Sequence, residues 1–177
     1  MDFIIGQMIS IAALIISVAI TQLKDVKHIL LGEIASNLTV ALSYVFLGGM
    51  SGAWICITAV VQTIIIYWAN KRELPVEKRN LLVIIFVAAY IIGTVVVYQG
   101  WSDVVSCACA LLYVLVIIQK ETKKCRWFMA ANCFLWIIYD FSTAAYVNII
   151  THGILLISLL IAMVRLDWKK SSIFGKL

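Results

Sequence analysis

All fourteen Lys and Arg residues of this 177-residue chain fall in alternate gaps between apolar stretches. Seven stretches read as spans, at residues 3–21, 28–48, 51–70, 80–98, 102–118, 127–145 and 147–165. Lys24 and Lys27 follow the first, and Lys71, Arg72, Lys78 and Arg79 follow the third. Lys120, Lys123, Lys124 and Arg126 follow the fifth, and Arg165, Lys169, Lys170 and Lys176 close the chain. The gaps after the second, fourth and sixth carry none. Basic residues in short loops stay on the cytoplasmic side during insertion. The pattern therefore predicts an odd number of crossings, an external N-terminus and a cytoplasmic C-terminus. It also accounts for the pI near 9.0 without nucleic acid, because the cations serve as orientation anchors beside anionic headgroups.

Hydrophobic residues make up 64% of the chain and the mean hydropathy is +1.05, against about 45–50% apolar in soluble domains. A helix needs about 20 apolar residues to cross about 30 Å of hydrocarbon. Seven such helices leave almost no chain for a soluble domain, so function is expected within the bundle or at its faces. The fold class that follows is an all-α integral membrane protein. The five cysteines, Cys56, Cys107, Cys109, Cys125 and Cys133, read as reduced packers within or beside the spans.

An internal repeat is read at an offset of 95 residues: Ala35, Asn37, Tyr44 and Phe46 align with Ala130, Asn132, Tyr139 and Phe141. Asn37 and Tyr44 are two helical turns apart, as are Asn132 and Tyr139, so each pair shares a face. The expected plan is 3-1-3. A first three-helix unit spans 1–72, a linker with the fourth span 73–99, a second unit 100–170 and a cytoplasmic tail 171–177. An odd linker makes the units parallel, related by an axis along the membrane normal. The fourth span fits a linker, with Tyr90, Thr94 and Tyr98 on one face.

Gly6-Gln7, the basic loop Lys24–Lys27, Phe46-Leu47-Gly48 and the run Trp136-Ile137-Ile138-Tyr139-Asp140-Phe141 resemble the YgjV-type bacterial inner-membrane proteins over most of the chain. That resemblance extends to the SWEET-like and PQ-loop (MtN3-like) transporters and implies a transporter-like architecture in the bacterial inner membrane. Those transporters carry a hinge proline in the first helix of each unit. Here the single proline, Pro75, lies between spans, so any hinge falls to Gly6, Gly93 or the Gly48–Gly52 turn.

A polar group in hydrocarbon is costly unless it is paired or faces a cavity, so the polar positions within spans mark candidate sites. Asn37, Asn132, Tyr44, Tyr139, Trp54 and Gln62 are the candidate substrate contacts, with Trp136 as a further aromatic rim. Thr58 joins Trp54 and Gln62 in a stripe. Gln7, Ser10 and Ser17 form another on the first span, and Ser102, Ser106, Cys109 and Tyr113 one on the fifth. Asp140 and His152 lie at similar depths on either side of the tight turn between the last two spans. If they face each other, they form a carboxylate–imidazole pair able to gate or to couple to protons; otherwise Asp140 faces external water. Glu33 reads as an interfacial partner of Lys24, Lys27 or His28.

The functional expectation is a small-solute transporter or facilitator, with a neutral hydroxyl- or amide-bearing molecule as substrate. The alternative is a non-transporting membrane partner, sensor or receptor that docks an acidic partner on Lys123, Lys124 and Arg126. The expected partners are the lipid bilayer, a small molecule and, compatibly with this plan, further copies of the chain. No nucleophile–base–orienter set appears, and two histidines make no metal cluster. No enzyme activity, cofactor or metal is therefore expected.

Overall fold

The computed structural model describes residues 1–20, 26–118 and 122–165, with side chains for all of these except 20, 26–30, 70, 117, 118 and 122. They form helices α1 (Asp2–Ile20), α2 (Val26–Leu47), α3 (Met50–Lys71), α4 (Val76–Val96), α5 (Trp101–Ile118), α6 (Thr122–Ser142) and α7 (Tyr146–Met163). An apolar run in hydrocarbon folds this way because a helix satisfies its own backbone donors and acceptors. Asp2–Ala19, Met50–Ala69, Val76–Val96 and Tyr146–Met163 are long and apolar enough to cross a membrane, and Leu31–Leu47 and Trp101–Val116 are shorter apolar stretches. Helix α6 begins five residues earlier than the expected span, at Thr122 rather than residue 127. Lys123, Lys124 and Arg126 thus ride on its first turns. Lys and Arg are good helix formers, so the helix runs past the end of the apolar stretch.

Helices α2 and α6 stop by the same device. Gly48 adopts φ +80° and Ala144 φ +52°. Gly49 N–H then bonds the Tyr44 carbonyl at 2.8 Å, and Ala145 N–H bonds the Asp140 carbonyl at 2.9 Å. Both are Schellman closures, in which a left-handed residue turns the chain back onto the last turn of its helix. They are 96 residues apart, one more than the offset that aligns the Asn and Tyr pairs.

In packing, α1 lies on α2 and α2 on α3, while α5 lies on α6 and α6 on α7. The two sets touch along α1 with α7 and along α3 with α5, and α4 packs on α3 and α5. Exchanging α1 with α5, α2 with α6 and α3 with α7 maps the packed pairs of the two sets onto themselves.

Burial is inverted relative to a water-soluble protein. Ser10, Ser36, Ser43, Ser51, Gln62, Asp103, Ser106, Asp140 and Asn148 are buried, whereas Ile4, Ile11, Ile15, Leu42, Ile84, Ile92, Ile157 and Ile161 are exposed. Apolar residues face outward where the solvent is lipid. Trp68, Trp101 and Trp127 are exposed near helix ends, as expected of an interfacial belt; Trp168 lies outside the described residues. All five cysteines are free. Of the three polar positions expected to share a face of α4, Tyr90 and Thr94 are buried, while Tyr98 lies beyond the helix end and is exposed.

Candidate functional site

A cavity of about 550 Å³ lies between the two three-helix sets, with Asn37, Tyr44, Asn132, Trp136, Asn148 and His152 in its wall. One end is tied shut. At that end the Tyr44 hydroxyl of α2 donates to Asp140 Oδ1 at 2.6 Å, and His152 Nδ1 of α7 meets Asp140 Oδ2 at 2.7 Å. Asp140 is 0% exposed and the His152 side chain 19%. A buried carboxylate with both oxygens answered joins α2, α6 and α7. The Trp136 indole, one turn before Asp140, lies nearly parallel to Tyr44 (14°, centroids 5.9 Å) and to His152 (12°, 5.8 Å). Asp140 faces the bundle, not external water.

A second network closes the same end. The Ser51 hydroxyl donates to Asp103 Oδ1 at 2.5 Å. That uses its one proton, so the 3.1 Å contact between Ser51 and Tyr139 has the Tyr139 hydroxyl donating. The same phenol oxygen accepts Gly52 N–H at 2.8 Å, an N–H in the first turn of α3 with no intrahelical partner. Asp103 Oδ2 accepts the N–H groups of Gln99 and Gly100 at 2.6 and 3.0 Å, as an acid in the first turn does when it reaches back over its helix start. Beside these, Gln7 Nε2 of α1 donates to the Ala144 carbonyl at 2.6 Å, and Gln7 Oε1 accepts Val147 N–H at 3.2 Å. Polar ties between the two sets gather at this end.

The other end carries an acid. Glu33 lines the cavity and is exposed. It lies eleven residues from Tyr44 along α2, about 16 Å at the helical rise. Its expected partners Lys24, Lys27 and His28 fall outside the described side chains, and no described side chain pairs with it. Between the ends lie Asn37 and Asn132. Asn37 Nδ2 donates to the Glu33 carbonyl at 3.0 Å, and Asn132 Nδ2 to the Cys109 carbonyl at 2.6 Å. Ser17 and Ser36, 2.8 Å apart, join α1 to α2.

The structure thus brings together Asn37, Asn132, Tyr44, Asp140 and His152 and sets three candidates apart. Trp54, Thr58 and Gln62 do form a stripe, but α3 turns it toward α4 while Ile55, Cys56 and Ala59 face the cavity. Trp54 Nε1 donates to the Ala89 carbonyl at 3.3 Å and its indole fills the notch left by Gly93. Gln62 Oε1 accepts the Tyr90 hydroxyl at 2.6 Å. Tyr139 points across to the start of α3 rather than into the cavity. Spacing marked a polar face in each case but not which neighbour it meets. Asp103 is the residue that sequence reasoning missed. The available signal was an acid two residues after Trp101, at the start of a span, where helix starts favour negative charge.

The family model of the bacterial inner membrane proteins called Imp-YgjV matches residues 4–170. The chain belongs to the Imp-YgjV family. No curated protein and no solved structure gives a significant match. An Imp-YgjV protein with this helix content is a multi-pass inner membrane protein, and its buried polar networks lie within the bundle. Among the described residues no group of three His, Cys, Asp or Glu could hold a metal ion.

Proposed function

We propose that this Imp-YgjV protein is a small-solute transporter or facilitator whose substrate occupies the cavity between two parallel three-helix units, with α4 as the linker. The observation that carries this reading is the asymmetry of the cavity. It is tied shut at the α6–α7 turn by two buried carboxylates, while at the opposite end its wall holds the exposed Glu33. Alternating access requires such a state and its converse around one central site. The packed pairs, which exchange under the swap of the two sets, support a 3-1-3 arrangement related by an axis along the membrane normal. The basic residues Lys71, Arg72, Lys78, Arg79, Lys123, Lys124 and Arg126 lie at the ends of α3, α4 and α6 remote from the α6–α7 turn. That supports a cytoplasmic C-terminus, an external N-terminus and a cavity whose Glu33 end faces the cytoplasm.

In this reading Asn37 and Asn132 contact substrate, and the Tyr44–Asp140–His152 cluster is the outer gate. Tyr44 and His152 each touch both the cavity and the carboxylate, and of the two the imidazole is suited to carry a proton between them. The test replaces the five cysteines and introduces Asn37→Cys as a single reporter. An impermeant thiol reagent is expected to reach residue 37 from the cytoplasmic side, and from the outside when Asp140→Asn loosens the gate. Proteoliposomes are then screened for flux. A folded protein labelled from neither side, or a residue 37 that stays closed to the outside in every gate variant, would falsify the reading.

A further inference from the structure

The charged and aromatic lining of the cavity selects a charge. Each asparagine amide spends one of its two N–H donors on a main-chain carbonyl, Asn37 on that of Glu33 and Asn132 on that of Cys109. A carbonyl only accepts, so the amide orientation is fixed and Oδ1 is the end left open in each case. The central pair therefore offers two open acceptors, each with one N–H beside it, and the selection falls to the charge near them. One turn toward the mouth stands the Glu33 carboxylate, also an acceptor. No described Lys or Arg lines the cavity, whereas Tyr44, Tyr90, Tyr113 and Trp136 supply ring faces. Three acceptors, one of them charged, beside aromatic faces make a cation site. At the closed end Asn148 is 3% exposed and lines the cavity, and its Nδ2 is buried with no partner among the described residues. A buried donor of this kind is normally answered. An occupant of the space would answer it with an acceptor of its own or through a bound water.

We propose that the cavity takes a small protonated amine, its ammonium N–H groups held by Asn37 Oδ1 and Asn132 Oδ1 with Glu33 as the counter-charge. The proposal deepens the transport reading of the same cavity and replaces the neutral solute expected from the sequence with a cation. Glu33 recruits the ammonium at the mouth, and the two amide oxygens receive it one turn deeper, where Trp136 stands one turn beyond Asn132. An anion is repelled by the Glu33 carboxylate at the mouth. A neutral alcohol finds acceptors but forfeits the charge.

The test measures binding to the purified full chain in lipid nanodiscs by calorimetry at pH 7, with phenethylamine, phenethyl alcohol and 3-phenylpropionate as probes. The amine is expected to bind about tenfold more tightly than the alcohol, and the carboxylate not at all, for a charge-assisted site. Glu33→Gln should lower amine affinity about tenfold and leave the alcohol unchanged. Glu33 is exposed, so this variant, and Glu33→Lys with a larger loss, retain the fold. Equal affinity for amine and alcohol, a tighter carboxylate, or amine affinity indifferent to Glu33→Lys overturns the proposal. The transport reading fails separately. Amine binding without amine flux in proteoliposomes sinks the carrier and leaves the cation site standing. Flux of mannitol without amine binding does the reverse.

Discussion

Replacing Tyr44 by Phe deletes one oxygen and changes little else, which makes it the sharpest probe of the outer gate. The hydroxyl lies 2.6 Å from Asp140 Oδ1 and both residues are 0% exposed. Its removal leaves one oxygen of a buried carboxylate unanswered, where hydrogen bonds to charged groups are worth about 1.5–3 kcal/mol in water-soluble proteins. Interhelical bonds in a membrane protein average about 0.6 kcal/mol and reach about 1.7, because the unfolded chain in the bilayer also finds partners. A charged, fully buried bond belongs at the upper end, so Tyr44→Phe should destabilise by about 1.5–2 kcal/mol. In an Asp140→Leu background the same change has no carboxylate to orphan and should cost less than about 0.5 kcal/mol, giving a coupling near 1.5. The unpaired His152 is common to both Asp140→Leu proteins and cancels from the cycle. Equilibrium unfolding in mixed detergent micelles, read by tryptophan fluorescence, supplies the four stabilities. Additive substitutions, with coupling below about 0.5 kcal/mol, would refute the claim that this bond holds α2 to α6.

Three further outcomes follow from the packing. A Cβ on residue 93 would lie 1.7 Å from Trp54 Nε1, so Gly93→Ala must swing the indole off α4, destabilising by about 1–3 kcal/mol. Adding Trp54→Leu should recover part of that loss in the same titration. A Cβ on residue 52 would lie 2.6 Å from Tyr139 Cε1, so Gly52→Ala displaces the phenol that caps α3. The outer end should then admit an impermeant thiol reagent to Cys56, which wild type excludes. In contrast, Ala144→Gly relieves a left-handed alanine at φ +52° and should stabilise by about 1 kcal/mol, with the unfolding midpoint moving up.

Much of the candidate site was legible because intramembrane polarity is expensive and therefore rare. Asp140 and His152 stood out as the acid and the imidazole flanking one tight turn, and the repeat marked Asn37 and Asn132. Their facing was not legible. Trp54 and Gln62 occupy a face as regular as that of the lining residues, and the rotation of α3 against α4 turns that face away. Tyr44 and Tyr139 are repeat partners yet serve different carboxylates, Asp140 directly and Asp103 through Ser51. The helix closures at Gly48 and Ala144 are one residue out of step with the aligned side chains.

Hydrophobic runs and their basic flanks determine the membrane class and the helices, because hydrocarbon tolerates a backbone only when its hydrogen bonds close within the segment. Composition likewise decides that polar side chains turn inward. Which of them meet is a tertiary matter. The two buried carboxylates are each satisfied by groups from two parts of the chain, up to 96 residues distant for Tyr44 and Asp140. No local pattern encodes such partners. They are selected by the rotation of each helix about its axis, which interlocking side chains fix only once the bundle has assembled.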